Sequence, residues 1–330
     1  MKYIKHFSNL SGQTEYLNSA DIDTYLGYVD ENDTVYYDDA IPVSYKKQYF
    51  TIESLGDGNT IYLKASSSTV AKTISASTDN GETWVEYTSS VDDNGTALAT
   101  LNTGDKLLIK GENPYYTTTT SNYNHFTSTG QFNVYGNIMS LISGDSFVNA
   151  DTLTDTYTFG ALFSGATGLT SAENLILPAT TLTRNCYANM FYNCTSLTTA
   201  PELPATTLAN DCYLNMFQGC TNLTTAPSVL PATTLAESCY MSMFSDCTNL
   251  TTAPVLPADT LASQCYGGMF FGCTSLNYIK AMFTTTPSNS YTFNWVKGVA
   301  SSGTFVKNAA ATWNVTSTYG IPNGWTVVDA

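Results

Sequence analysis

The chain has 330 residues, with charged side chains at only 12% and a formal net charge of −15 from 12 basic and 27 acidic groups. A nucleic-acid binder needs a basic stripe to displace counterions from phosphates, and none exists here; an anionic membrane surface is disfavoured by the same sign argument, and no membrane insertion is expected. Two histidines, His6 and His125, and a single arginine, Arg184, leave little raw material for catalysis.

Residues 1–47, with "VDENDTVYYDD", read as an acidic N-terminal arm suited to attachment. The opening stretch lacks the roughly 7–15 apolar residues of a signal-peptide core, and no run approaches the ~18 of a membrane span. Synthesis in a cytoplasm without an export signal is the expectation.

Residues 48–145 read as an antiparallel β-sandwich. "QYFTIES", "NTIYLKAS", "KTISAS", "TWVEYTSS", "TALATLN" and "KLLIKG" are short β-branched and aromatic runs, separated by turn sequences such as "GDGN" and "DDNG". The polar stretch "YYTTTTSNYNHFTSTG" reads as a loop, and His125 and His6 as solvated loop histidines. Acidic turns such as 92–95 lack the alternating oxygen ligands of an EF-hand and read as solvated.

Within this region "STDNGETW" matches the Asp-box pattern through Ser77, Asp79, Gly81 and Trp84. It predicts a hairpin staple: Asp79 accepts hydrogen bonds from the turn backbone, Gly81 supplies a positive φ, and Trp84 packs underneath. The box resembles those on sialidase propeller blades, which are also structural. A sialidase grips its substrate carboxylate with three arginines, which this chain cannot supply. No G-x-S-x-G elbow is present for a Ser-His-Asp triad either. The chain is therefore expected not to be an enzyme, and neither cofactor nor metal is expected.

Residues 146–280 hold about five repeated units. "CYANMFYNCTSL" recurs three more times, and alignment on Phe191, Phe217, Phe244 and Phe270 gives spacings of 26, 27 and 26. Cys186, Met190, Cys194 and Leu197 of one copy become Cys212, Met216, Cys220 and Leu223, then Cys239, Met243, Cys247 and Leu250, then Cys265, Met269, Cys273 and Leu276. An earlier copy at 157–172 sets Phe163 against Phe191 but has Thr158 and Ala166 where the cysteines fall, a change that packing tolerates and metal or disulfide chemistry does not.

Spacing of i, i+4, i+8 predicts a helix-like segment with Cys186, Met190 and Cys194 on one buried face, then a short extended piece, "TSLTTAP". On that geometry the two cysteines of a unit lie roughly 12 Å apart, beyond the ~7 Å reach of a disulfide. C-x7-C also misses zinc spacing. The thiols are expected to be reduced core groups. Thr199, Thr225, Thr252 and Tyr278 fall in register and form a candidate contact surface, against the plainer reading of β propensity on a solvated face. Residues 281–330 are expected to cap an open end that would expose Cys265, Met269 and Phe270.

The unit F-x-x-C-T-[SN]-L-T-T-A-P-x-L-P resembles the BspA-like, or Treponema-type, leucine-rich repeats of bacterial surface proteins, and its period fits that class. The ending "NWVKGVASSGTFVKN…GIPNGWTV" resembles the cap that accompanies such repeats in proteins of gut bacteria and their phages. The resemblance covers about residues 150–330 and implies a curved solenoid used for adhesion, with no catalytic residues to transfer. The expected fold is mainly β with an α/β leucine-rich-repeat solenoid: an N-terminal β-sandwich, a short right-handed solenoid, and a C-terminal cap. The expected function is that of a phage virion component (fibre, tail or head decoration) located in the particle. Its expected partners are other virion proteins at the N-terminal region and a host surface protein or glycan at the repeats, with a trimer if it builds a fibre. A bacterial cell-surface adhesin is the first alternative and an accessory module of a carbohydrate-active enzyme the second.

Overall fold

In the computed structural model the described residues are 47–66, 69–119, 122–316 and 318–330, together with three backbone strands nearer the N-terminus. These residues build a mainly β molecule with several open sheets, no closed barrel and little helix. The N-terminal strands, β1 (Lys2–Lys5), β2 (Tyr25–Val29) and β3 (Val35–Tyr37), pair antiparallel in that order. The rest of the arm, His6 included, lies outside the described residues.

Alternation then dictates two larger sheets. The six runs expected as strands are β4 (Phe50–Ser54), β5 (Asn59–Ala65), β6 (Thr73–Ser77), β7 (Val85–Thr88), β8 (Thr96–Leu101) and β9 (Lys106–Lys110). In β5, Asn59, Ile61, Leu63 and Ala65 are buried while the residues between them are half-exposed, the period-2 signature of one covered face. The ring of Phe50 on β4 meets that of Phe126 at 5.5 Å, so the apolar face of the larger sheet meets that of the smaller.

The stretch read as a loop is in fact β10 (Thr117–Thr119) and β11 (Asn122–Ser128), and β11 is an interior strand of the four-stranded sheet β10-β11-β5-β8. Its Tyr, Thr and Asn residues hide a strand because Asn124 and Phe126 alone point into the core. His125 is consequently no solvated loop residue. It sits half-buried opposite Lys64, and burial, with the Lys64 charge second, pushes its pKa down to about 4.

β12 (Phe132–Asn137) joins the two halves of the sequence. It pairs antiparallel with β4 and parallel with β13 (Leu169–Ser171) and β14 (Leu175–Ile176), which belong to the first repeated unit. Only a four-residue helix, α1 (Ser140–Ser143), and a 3-10 turn at Gly144–Asn149 intervene.

The segments expected to be helix-like are not helices. In "CYANMFYNC" alternate backbone N–H groups take different routes. Those of Ala188, Met190, Tyr192 and Cys194 close local turns onto Asn185, Tyr187, Asn189 and Phe191. Those of Tyr187, Asn189, Phe191 and Asn193 donate at 2.8–3.0 Å to Cys212, Leu214, Met216 and Gln218 in the next unit. Each turn needs a residue with positive φ, so Asn185, Asn189 and Asn193 lie at +55°, +57° and +56°. The same positions hold Asp211, Asn215 and Gly219, then Ser238, Ser242 and Asp246. Burial still repeats every four residues, which keeps Cys186, Met190 and Cys194 inside.

Residues 281–330 continue this arrangement rather than merely lying over its end. β15 (Tyr278–Ala281), β16 (Thr304–Lys307) and β17 (Thr326–Asp329) pair parallel and in register. Gly268, Phe270 and Gly272 donate to Phe293, Trp295 and Lys297. Trp295, fully buried, then covers Tyr266 and Phe270 at 6.1 and 6.3 Å between rings and anchors its indole N–H on the Gly320 carbonyl at 2.9 Å.

Asn189→Val forces a β-branched residue into the left-handed region and is expected to destabilise by roughly 1–2 kcal/mol, whereas Asn189→Gly keeps stability within a few tenths. Denaturant titration of both variants checks this; equal losses in the two would contradict the turn geometry.

Candidate functional site

Each unit places its chemistry-bearing side chains inward. All eight cysteines are free thiols, and Met190, Met216, Met243 and Met269, with Leu197, Leu223, Leu250 and Leu276, are as fully buried as they are. The second cysteine of each unit also has a polar task. The Sγ atoms of Cys194, Cys220, Cys247 and Cys273 lie 2.9–3.1 Å from the carbonyl oxygens of Phe163, Phe191, Phe217 and Phe244 in the preceding unit. The thiol donates there, adding a weak clip between units. The first unit, which no repeated unit precedes, has Ala166 at this position.

Desolvation governs thiol reactivity. Burial pushes Cys186 and Cys273 up to about 12 and Cys265 to about 11, and it raises the other five as well. A nucleophilic cysteine needs a depressed pKa and access, and none of these has either. Among the described residues no group of three or more His, Cys, Asp or Glu side chains is placed to hold a metal ion.

The outward-facing residues of the units form the larger continuous surface. Thr199 pairs parallel with both Ser171 and Thr225, and Thr252 with Tyr278. Thr225 and Thr252 are exposed, while Thr199 and Tyr278 are half-buried. Their neighbours are used structurally: the hydroxyls of Thr198 and Thr224 donate to the carbonyls of Thr170 and Thr198 at 3.0 and 3.2 Å. The candidate contact residues thus lie along one edge of the stacked units, on a chain of strongly negative net charge.

The Asp-box closes the β6–β7 hairpin. Ser77 Oγ donates to Asp79 at 2.7 Å and accepts the Gly81 N–H at 2.9 Å; Thr83 N–H donates to Asp79 at 2.9 Å, and the Trp84 indole to the Gly81 carbonyl at 3.1 Å. Hydrogen bonds from Thr83 first, then Ser77, bring Asp79 down to about 2. Trp84 does more than pack under its own turn. It meets Tyr49 edge-on at 4.9 Å and lies 4.2 Å beneath the Lys110 ammonium. Lys110 pairs with Asp145 at 2.7 Å, and Asp145 accepts the Tyr49 hydroxyl at 2.7 Å, which together with burial as the leading cause raises Tyr49 to about 12. This cluster joins residues up to 96 apart, so no local sequence signal announces it.

Two outcomes follow. A thiol-disulfide reagent at mildly alkaline pH should find no fast-reacting cysteine in the folded protein and eight after denaturation; a rapidly labelled thiol in the folded state would contradict the buried columns. For the Asp-box, a depressed carboxyl supports its hairpin above its ordinary pKa of 3.8 and loses that support as pH falls toward 2. Asp79→Asn should therefore shift Trp84 fluorescence at neutral pH, and unchanged emission would show that the carboxylate does not hold the turn. Comparisons of the chain with protein-family models, with curated proteins and with solved structures found no match.

Proposed function

We propose that the chain is a non-enzymatic adhesive and structural protein, a phage virion component that presents stacked repeat units to a host surface. On this reading residues 48–145 are a β-sandwich, residues 146–280 a right-handed leucine-rich-repeat solenoid of the BspA-like kind, and residues 281–330 its cap. The observation that supports it is the division of labour within each unit: the repeated thiols, thioethers and stacked rings face inward, and the outer edge is a row of small hydroxyl residues, exposed at Thr225 and Thr252 and ending in the half-buried Tyr278. A fixed row with little side-chain entropy suits contact, because little freedom is lost on binding. Among the described residues the thiols are held undissociated in the core, and with one arginine in the chain neither group supplies a nucleophile or a multi-arginine anion grip.

Fractionation of a producing culture tests the location: the chain should sediment with intact particles, and recovery only with the cell envelope would replace the virion reading with a cell-surface adhesin. Thr225→Lys and Thr252→Lys, which leave the buried face untouched, should lower binding of the labelled protein to intact host cells by about tenfold. Unchanged cell binding in both would remove the repeat edge from the contact.

A further inference from the structure

The outer face of the larger sheet holds a second surface, formed where that sheet meets the first unit. Strand registers place Lys106 of β9 opposite Glu53 of β4, Glu53 opposite Asn133 of β12, and Asn133 opposite Ser171 of β13. The four side chains form one transverse row, with neighbours roughly 5 Å apart at Cβ. Two residues along the strands, on the same face, Tyr135 lies opposite Thr51, and the Lys106 ammonium is 5.9 Å from the Tyr135 ring centre. The row floors a cleft of about 380 Å³, walled on the side of the first unit by Glu173. That volume lies in the usual range of about 300–1,000 Å³ for small-molecule sites. A second hollow of about 190 Å³ adjoins it and shares Lys106 and Tyr135, which lengthens the cleft into a groove toward the Asp-box turn.

The chemistry of the lining selects its occupant. Two carboxylates, three amides, the Ser171 hydroxyl and one ammonium supply both donors and acceptors, with a net formal charge of −1. Asn133 adds a specific demand, because its side-chain oxygen is buried without a hydrogen-bond partner. Such an acceptor carries the cost of its lost hydration for as long as it stays unpaired. A ligand dense in hydroxyls meets every one of these groups, and the half-buried Tyr135 ring offers an apolar surface for C–H bonds. A hydrophobic ligand would strand the polar groups, and an anion would meet two glutamates.

We propose that this groove binds a neutral pyranose, as one sugar unit or a short oligosaccharide, with Glu53, Asn133 and Lys106 on its hydroxyls and Tyr135 against its ring. The inference rests on the adhesive reading above and adds a sugar site remote from the repeat edge of Thr225 and Thr252.

Saturation-transfer NMR tests it on the full chain, with the methyl glycosides of glucose, galactose, mannose and N-acetylglucosamine as separate probes. At least one should receive saturation. Its affinity should fall about tenfold or more in Glu53→Gln and in Asn133→Ala, as expected for loss of a hydrogen bond involving a charged or buried group, and stay unchanged in Thr225→Lys. Circular dichroism confirms that each variant folds, and Tyr135→Phe, which keeps the ring, should retain binding within a few-fold if one variant fails to fold. No signal from any of the four glycosides overturns the proposal, as does a signal that survives both Glu53→Gln and Asn133→Ala. Host-cell binding separates the two claims. Cell binding lost in Thr225→Lys, with no glycoside signal, removes the groove and leaves the adhesive reading. A glycoside signal that obeys the variants, with no cell binding by the unmodified chain, leaves the groove and removes the adhesive reading.

Discussion

The structure depends on one backbone device, a four-residue turn that closes on a left-handed residue. A helix would spend every N–H on its own segment. The turn spends only alternate ones locally and directs the rest along the stack, so Tyr187, Asn189 and Phe191 bind Cys212, Leu214 and Met216. The same alternation joins Phe163 to Met190, Phe217 to Met243, Phe244 to Met269 and Phe270 to Trp295. Each such bond adds only about 0.5–1.5 kcal/mol net, but an orphaned buried N–H costs about 1–3 kcal/mol, so a unit without its neighbour is poorly satisfied. Stability in such an arrangement passes from neighbour to neighbour.

The register set by this ladder fixes the core. Residues 26 to 28 apart must superpose, and rings that superpose must stack. Phe159, Tyr187, Tyr213, Tyr240 and Tyr266 make one column, and Phe163, Phe191, Phe217, Phe244 and Phe270 another, with centroids 5.3–5.9 Å apart and planes within 4–12°. Both columns need terminators. At one end Tyr116 follows Phe159, and Phe50 and Phe126 close on Phe163, so the upstream sheets share their core with the first unit. At the other end Phe283 adds one more stacked ring on Tyr266 at 5.6 Å and 23°, and Trp295 and Trp313 tilt against these rings and finish the columns. Cysteine suits the remaining interior positions because it is small, apolar when protonated, and able to donate weakly to a carbonyl.

Much of this was legible in the residues. Six strands, β4 to β9, lie where β-branched and aromatic runs were bounded by glycine turns, and the Asp-box pattern located its hairpin. The strand β11 was not legible, because five of its seven residues are polar and its burial comes from partners 59 to 67 residues away. The turn ladder was misread as helix for a narrower reason. Over nine residues a period of four and one of 3.6 select the same inward positions, Cys186, Met190 and Cys194. The separating signal was present one residue before each inward position, where Asn185, Asn189 and Asn193, then Asp211, Asn215 and Gly219, repeat the residue types that accept positive φ. The polar row of Lys106, Glu53, Asn133 and Ser171 had no local signal, since four separate strands contribute one residue each.

Function, on this account, is displaced from the conspicuous residues to the inconspicuous ones. Cysteine, methionine and tyrosine hold the interior, and threonine, asparagine and glutamate on outward faces are left to meet partners. All of it presupposes that the repeated segments are ladders rather than helices. Long-range HNCO NMR, which detects coupling across a hydrogen bond, tests that directly. The amide of Phe191 should couple to the carbonyl of Met216, the acceptor in the next unit at 2.9 Å; coupling instead to the carbonyl of Tyr187, four residues earlier, would show a helix and contradict the account.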